Sequence, residues 1–162
     1  MAYSSIVKPT DYFNTITYSG NGSNPRTLTG VGFQPDWVWL KNRTDSNGHT
    51  LADAVRGANK TLSSDGTGAE VTDKSDGHLD AFTSDGFTVG AGSSSDARVN
   101  DGSHTYVAWN WLGANGTASN SDGSITSTVS ANTTAGFSIV SYTGTGSNAT
   151  VGHGLGVAPK MI

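Results

Sequence analysis

The chain of 162 residues contains no cysteine, few charged residues and no long apolar run. Without cysteine it can form neither a disulfide framework nor a thiolate metal site. It has no basic patch and a net charge of -4, which excludes a typical nucleic-acid-binding surface. No apolar stretch approaches the roughly 20 residues of a membrane-spanning helix. The first residues also lack the pattern of a signal peptide. We therefore expect a protein that is made in a cytoplasm and does not insert into a membrane.

Glycine is abundant, with 22 residues, and small polar residues separate short apolar runs. Asp-Gly pairs, a strong signal for β-hairpin turns, recur at 65–66, 76–77, 85–86, 101–102 and 122–123. Between such turns, alternating or apolar runs predict strands at 12–18, 27–31, 37–40, 49–55, 79–82, 87–89, 105–111, 124–129 and 137–142. Only 51–60 could hold a helical turn, and Gly57 weakens that interpretation. The pattern predicts an all-β fold, a β-sandwich or jelly roll.

The end of the chain repeats its beginning. Shifted by 124 positions, residues 137–162 align without a gap on residues 13–38, and nine of the 26 positions are identical. An internal repeat of this kind is typical of proteins built from similar units in series. We therefore divide the chain into a lead-in or anchoring arm (1–11), a first β-sandwich unit (12–135) and the opening strands of a second unit (136–162). The sequence stops inside that second unit, so we expect it to be the front of a longer tandem-repeat protein.

Four tryptophans stand on the two strongest predicted strands, Trp37 and Trp39 on one and Trp109 and Trp111 on the other. Because side chains alternate along a strand, the two members of each pair share a face. Such a row could bind sugar rings or a protein partner. The other interpretation is that the indoles fill the sandwich core, where aromatic side chains contribute much of the burial. The neighbouring Val38, Leu40 and Val107 favour the core.

Asp53 and Arg56 form the only charged pair embedded in apolar sequence. We expect a structural ion pair that fixes the loop between two strands. A carboxylate beside a guanidinium is held ionised, which does not suit a proton donor in catalysis. No catalytic residue is assigned, and no nucleophile elbow or phosphate-binding loop is present.

Metal and cofactor sites are not predicted. A calcium loop needs several carboxylates at short alternating spacing, and each Asp-Gly turn offers one or two. A weak Ca²⁺ site in these turns is the open alternative. The chain has four histidines, His49, His78, His104 and His153. Their spacing does not match that of metal ligands.

The order of several motifs resembles a known family. GFQPDWVWLKNR (32–43) is followed by DAVRGANK (53–60), FTSDGFTVG (82–90) and YVAWNW (106–111). This order resembles the repeat domain of uncharacterised tail-fibre-like virion proteins of marine tailed bacteriophages, including cyanophages. The start of the chain, with Lys8-Pro9 and Asp11, is also similar to the start of such proteins.

The resemblance implies a non-enzymatic structural or adhesive virion component whose β-sandwich is similar to concanavalin-type lectins. Its partners would be other virion proteins, further copies of itself in a homotrimer, and a glycan on the host surface. It would be made in the host cytoplasm and located in the virion. One alternative is a capsid decoration protein anchored through Tyr3 to Tyr12. A second is a tailspike-type carbohydrate-active enzyme that uses Asp53.

Overall fold

The computed structural model describes residues 6–96 and 98–162. It is all-β, as the sequence predicts, and the described residues contain one short 3-10 helix, Pro9–Asp11, and no α-helix. The eleven strands are β1 (Phe13–Ser19), β2 (Arg26–Thr29), β3 (Trp37–Asn42), β4 (Thr50–Asp53), β5 (Gly57–Leu62), β6 (His78–Thr83), β7 (Gly86–Gly90), β8 (Thr105–Trp111), β9 (Ala118–Asn120), β10 (Ser127–Asn132) and β11 (Phe137–Ser141).

Two antiparallel sheets form a β-sandwich. A five-stranded sheet has the order β1-β8-β3-β4-β5, and a three-stranded sheet has the order β2-β7-β6. Their facing side chains make the hydrophobic core, which consists of Leu28, Val31, Phe33, Val38, Leu40, Ala52, Leu79, Phe87, Val89, Val99 and Ala108. The core residues of β3, Val38 and Leu40, are fully buried. The jelly-roll and concanavalin-type refinements of the fold stay predictions.

A third sheet, with the order β11-β10-β9, is built from the last part of the chain. It is joined to the sandwich through Asp36, which precedes β3 and is 1% exposed. The Asp36 Oδ2 atom accepts hydrogen bonds from the backbone N–H groups of Gly113 (2.8 Å) and Asn115 (3.0 Å). Burial raises the pKa of Asp36, while these two hydrogen bonds lower it. This carboxylate therefore fixes the path of the chain from β8 to the third sheet.

The segment 51–60, where a helical turn is disfavoured because of Gly57, forms the β4–β5 hairpin, in which Asp53 faces Gly57 across a tight turn. Gly57 has a φ of +113°, a conformation that allows the chain to reverse there. The strand predicted at 124–129 lies at Ser127–Asn132, and the short β9 is not anticipated.

The Asp85-Gly86 turn joins β6 to β7, as its sequence predicts. The Asp85 carboxylate accepts hydrogen bonds from the backbone N–H groups of Gly30 (3.0 Å) and Gly32 (2.7 Å). These bonds lower the pKa of Asp85. The turn therefore also fixes the loop that follows β2.

The internal repeat is visible in the backbone. In the repeat alignment Phe137 corresponds to Phe13. Strand β11, which begins at Phe137, is therefore the counterpart of β1, which begins at Phe13. Left-handed glycines recur at the same spacing, with φ values of +70° and +74° (22 and 146), +92° and +74° (30 and 154), and +90° and +72° (32 and 156). Such values are readily adopted by glycine alone. The two segments therefore share turn conformations as well as residues.

The predicted N-terminal arm is described only in part. Residues 1–5, which include the first three residues of the proposed Tyr3 to Tyr12 anchor, lie outside the described residues. In the described part, Lys8 forms an exposed ion pair of 2.6 Å with Asp11. No helix in the described ranges 6–96 and 98–162 is long and apolar enough to cross a membrane.

Candidate functional site

The outer face of the five-stranded sheet carries the aromatic residues. In β3 and β8 every second residue is buried, and the tryptophans occupy the half-buried positions between them. The expectation that the indoles fill the core is therefore wrong. The sandwich core uses the aliphatic face of these strands, including Val38 and Ala108, and the tryptophans point the other way.

Strand register aligns three of the rings in one row. Phe13 lies opposite Trp111, and Trp111 lies opposite Trp37. The ring centroids are 4.8 Å apart for Phe13 and Trp111 and 4.4 Å apart for Trp111 and Trp37. Rings at these distances attract one another beyond the area that they bury. The row therefore links β1, β8 and β3 through ring contacts on the outer face of the sheet.

A second row contains Trp109 and Trp39, whose rings meet edge to face at 5.7 Å. The Trp39 indole N–H donates a 2.6 Å hydrogen bond to Nδ1 of His49, which fixes that ring. The exposed Thr15 lies beside Trp109 on β1. We call Trp39 and Trp109, with Thr15 at their edge, the open part of the aromatic face. It combines ring surfaces with a hydroxyl group.

Asp53 and Arg56 form an ion pair of 2.5 Å, and their side chains are 7% and 16% exposed. The second Asp53 oxygen accepts a hydrogen bond from the Arg56 backbone N–H. The guanidinium also binds Glu70 at 3.0 Å and donates to the carbonyl of Leu51. Both Asp53 carboxylate oxygens accept hydrogen bonds from Arg56, as expected for a structural ion pair.

Sequence reasoning treated the tryptophans and this ion pair separately, and the structure brings them together through one residue. Trp37 lies directly opposite Asp53 across β3 and β4. Trp37, Asp53 and Arg56 line one groove of about 430 Å³. The other three tryptophans lie outside this groove, along the same face of the sheet.

Strand β11 forms the other wall of the groove, and its position was not anticipated. Every residue from Phe137 to Tyr142 lines the groove. The Phe137 ring stacks on Trp37 with centroids 5.8 Å apart, and it lies 6.1 Å from Trp111. The repeat alignment identifies Phe137 as the counterpart of Phe13, another ring that contacts Trp111. The alignment could identify β11 as a copy of β1, but it could not show that β11 packs against Trp37 of the first unit.

Within 6–96 and 98–162, no group of three or more His, Asp or Glu side chains could hold a metal ion. Two histidines each lie 2.9 Å from one carboxylate, His78 from Asp80 and His104 from Asp101. Hydrogen bonds from Ser103, and then from His104, lower the pKa of Asp101 to about 2. The Asp101 carboxylate therefore stabilises the turn in which it lies, through hydrogen bonds with Ser103 and His104.

The comparisons give a family and no relative of known role. The model of the family described as "Domain of unknown function (DUF7483)" matches residues 8–162. No curated protein and no solved structure matches the chain.

Proposed function

We propose that this chain, which belongs to the DUF7483 family, is a non-enzymatic structural protein of a phage virion. It acts as a spacer in a tail fibre or similar appendage and contributes to host attachment. The viral assignment comes from the resemblance of the motifs at 32–43, 53–60, 82–90 and 106–111 to tail-fibre-like repeat domains. Homotrimer formation and contacts with other virion proteins belong to the same proposal.

The observation that carries the spacer role is the repeated opening of the unit. Strand β11 has the sequence character of β1, the following turns have the same left-handed glycines, and Phe137 is seated on Trp37 of the preceding sandwich. An element that begins like a unit and packs on the unit before it supports a protein assembled from units in series.

The attachment role uses the open part of the aromatic face. The indole rings of Trp39 and Trp109 offer apolar surface to a sugar ring, and the Thr15 hydroxyl can bond to sugar hydroxyls. Trp109 donates its indole N–H to none of the described residues, so that donor is available to a ligand.

We expect Trp109→Ala to weaken glycan binding about fivefold, because an aromatic contact contributes about 1 kcal/mol beyond the area that it buries. The measurement is binding to an array of neutral and acidic oligosaccharides and bacterial surface polysaccharides. Trp111→Phe is the matched control, because that ring is already covered by Phe13 and Trp37. Absence of binding to any glycan, or equal binding by Trp109→Ala, would remove the attachment role.

Of the two rival functions, the enzymatic one has less structural support. A tailspike-type glycosidase requires two carboxyl groups on either side of a bound sugar. The groove is lined by one carboxylate, Asp53, which Arg56 already engages. A capsid decoration protein would use the N-terminal arm, whose first five residues lie outside the described part of the chain.

A further inference from the structure

His49 holds the ring of Trp39, which belongs to the open part of the aromatic face. The Trp39 indole N–H donates a 2.6 Å hydrogen bond to His49 Nδ1, and the two ring centroids are 5.6 Å apart. An indole N–H can only donate a hydrogen bond. His49 Nδ1 must therefore present a lone pair, and the imidazole must be neutral, for this bond to exist.

The backbone of His49 is held independently of its ring. His49 directly precedes β4, its N–H donates to the Asp65 carboxylate at 3.0 Å, and its carbonyl accepts a 3.1 Å hydrogen bond from the Ser63 hydroxyl. Hydrogen bonds from the Ser63 side chain and the His49 backbone lower the pKa of Asp65 to about 2, so this carboxylate is ionised at neutral and at mildly acidic pH. The His49 backbone therefore keeps its place whether or not its ring is bonded to Trp39.

The charged groups in or against this loop are Lys41, Asp45, Asp65 and Arg98. The two cations have other partners, since the Lys41 ammonium donates to three backbone carbonyls and the Arg98 guanidinium forms two ion pairs with aspartates. Asp45 is exposed and lies 3.8 Å from another histidine, His104. In the described part of the chain, the His49 imidazole has one hydrogen-bond partner, the Trp39 indole. A proton added to this ring therefore acts first on that bond.

We propose that His49 is an acid-sensitive anchor for Trp39, which fixes the indole ring when it is neutral and releases the ring when it is protonated. Histidine is the side chain that ordinarily changes its charge between about pH 5 and pH 8. Both ring nitrogens of a protonated histidine carry hydrogen and donate. Protonation therefore replaces the acceptor with a second donor that points at the indole N–H, and the two N–H groups repel each other.

The consequence for ligand binding rests on the attachment role proposed above. Trp39 is one of the two ring surfaces offered to a sugar, and a ring that is fixed before binding loses little conformational freedom when the ligand arrives. Release of Trp39 in acid should weaken glycan binding about fivefold, which corresponds to the roughly 1 kcal/mol that ordering one side chain costs. The open part of the aromatic face would thus bind a sugar more tightly at neutral pH than in acid.

The anchor is tested without any ligand, by following the nitrogen–proton NMR signal of the Trp39 indole in the full chain, with Trp39→Phe to assign it. Between about pH 8 and about pH 5 we expect this signal to move upfield and its proton to exchange faster with water. The signals of the other three indoles report in the same spectra that the chain is folded.

Two variants of His49 serve as matched controls. In His49→Asn the Oδ1 atom is bonded to Cγ, as Nδ1 is in histidine, and it accepts a hydrogen bond at either pH, so the Trp39 signal should not respond to acid. His49→Phe keeps a ring and removes the acceptor. Its Trp39 signal at about pH 8 should already resemble that of the unchanged protein at about pH 5, so this comparison tests the anchor without acid.

The anchor is overturned if the Trp39 signal stays in place in acid, if it moves equally in His49→Asn, or if His49→Phe leaves it unchanged. Glycan binding by the same variants separates this inference from the attachment role. If Trp39 responds to acid and no glycan binds at any pH, the attachment role fails and the anchor stands. If Trp39 responds and a glycan binds equally well at both pH values, the proposed effect on binding is overturned.

Discussion

Replacing Gly20 by alanine is expected to destabilise the fold by about 3 kcal/mol, because the added methyl group has no space. A Cβ atom at this position would lie 1.8 Å from the backbone carbonyl oxygen of Asp101 and 3.0 Å from the ring of Tyr106. The Asp101 backbone is itself held by the Tyr106 hydroxyl at 2.9 Å, so it cannot move away cheaply. Urea unfolding followed by tryptophan fluorescence measures the loss.

The repeat supplies a matched control for this substitution. Gly144 is the counterpart of Gly20, and a Cβ atom there would meet no heavy atom within 4 Å. Gly144→Ala should therefore change the free energy of unfolding by less than about 0.5 kcal/mol. Equal effects of the two substitutions would show that the first β1–β2 turn is not packed as described.

Replacing Asp36 by alanine is expected to lower the free energy of unfolding by about 3 kcal/mol. The substitution leaves the N–H groups of Gly113 and Asn115 without their acceptor, and an unsatisfied buried donor costs about 1–3 kcal/mol. Asp36→Asn keeps one acceptor oxygen and removes a charge that burial already disfavours, so its effect should be clearly smaller. Urea unfolding compares the two variants.

Asp11→Ala is the control for the general loss of a carboxylate, because Asp11 forms an exposed ion pair with Lys8. Such pairs contribute about 0–1 kcal/mol. If Asp36→Ala were as mild as Asp11→Ala, the third sheet would not depend on the buried carboxylate.

Much of the strand layout could be predicted, because it depends on local pattern. Alternation identified β1 and β8 to within a residue or two, and the Asp85-Gly86 turn identified the β6–β7 hairpin. The face on which the tryptophans lie could not be predicted in this way. Alternation places Trp37 and Trp39 on one face of β3 and Val38 on the other. Both faces are apolar, so the sequence alone does not show which of them the second sheet covers.

The candidate site was predictable only in its parts. The spacing of Asp53 and Arg56 indicated their pairing, since residues three apart meet across a tight turn. Glu70, which completes the guanidinium's contacts, arrives from another segment and left no local signal. Phe137 was identified as a copy of Phe13, yet its contact with Trp37 depends on how the third sheet is placed on the first unit.

The most direct test of the proposed function is immunogold labelling of intact phage particles with an antibody raised against residues 12–135. A spacer and attachment protein of a fibre predicts gold along slender appendages. Gold scattered over the capsid shell would contradict this account and favour the decoration protein. Particles without any label would contradict the viral assignment itself.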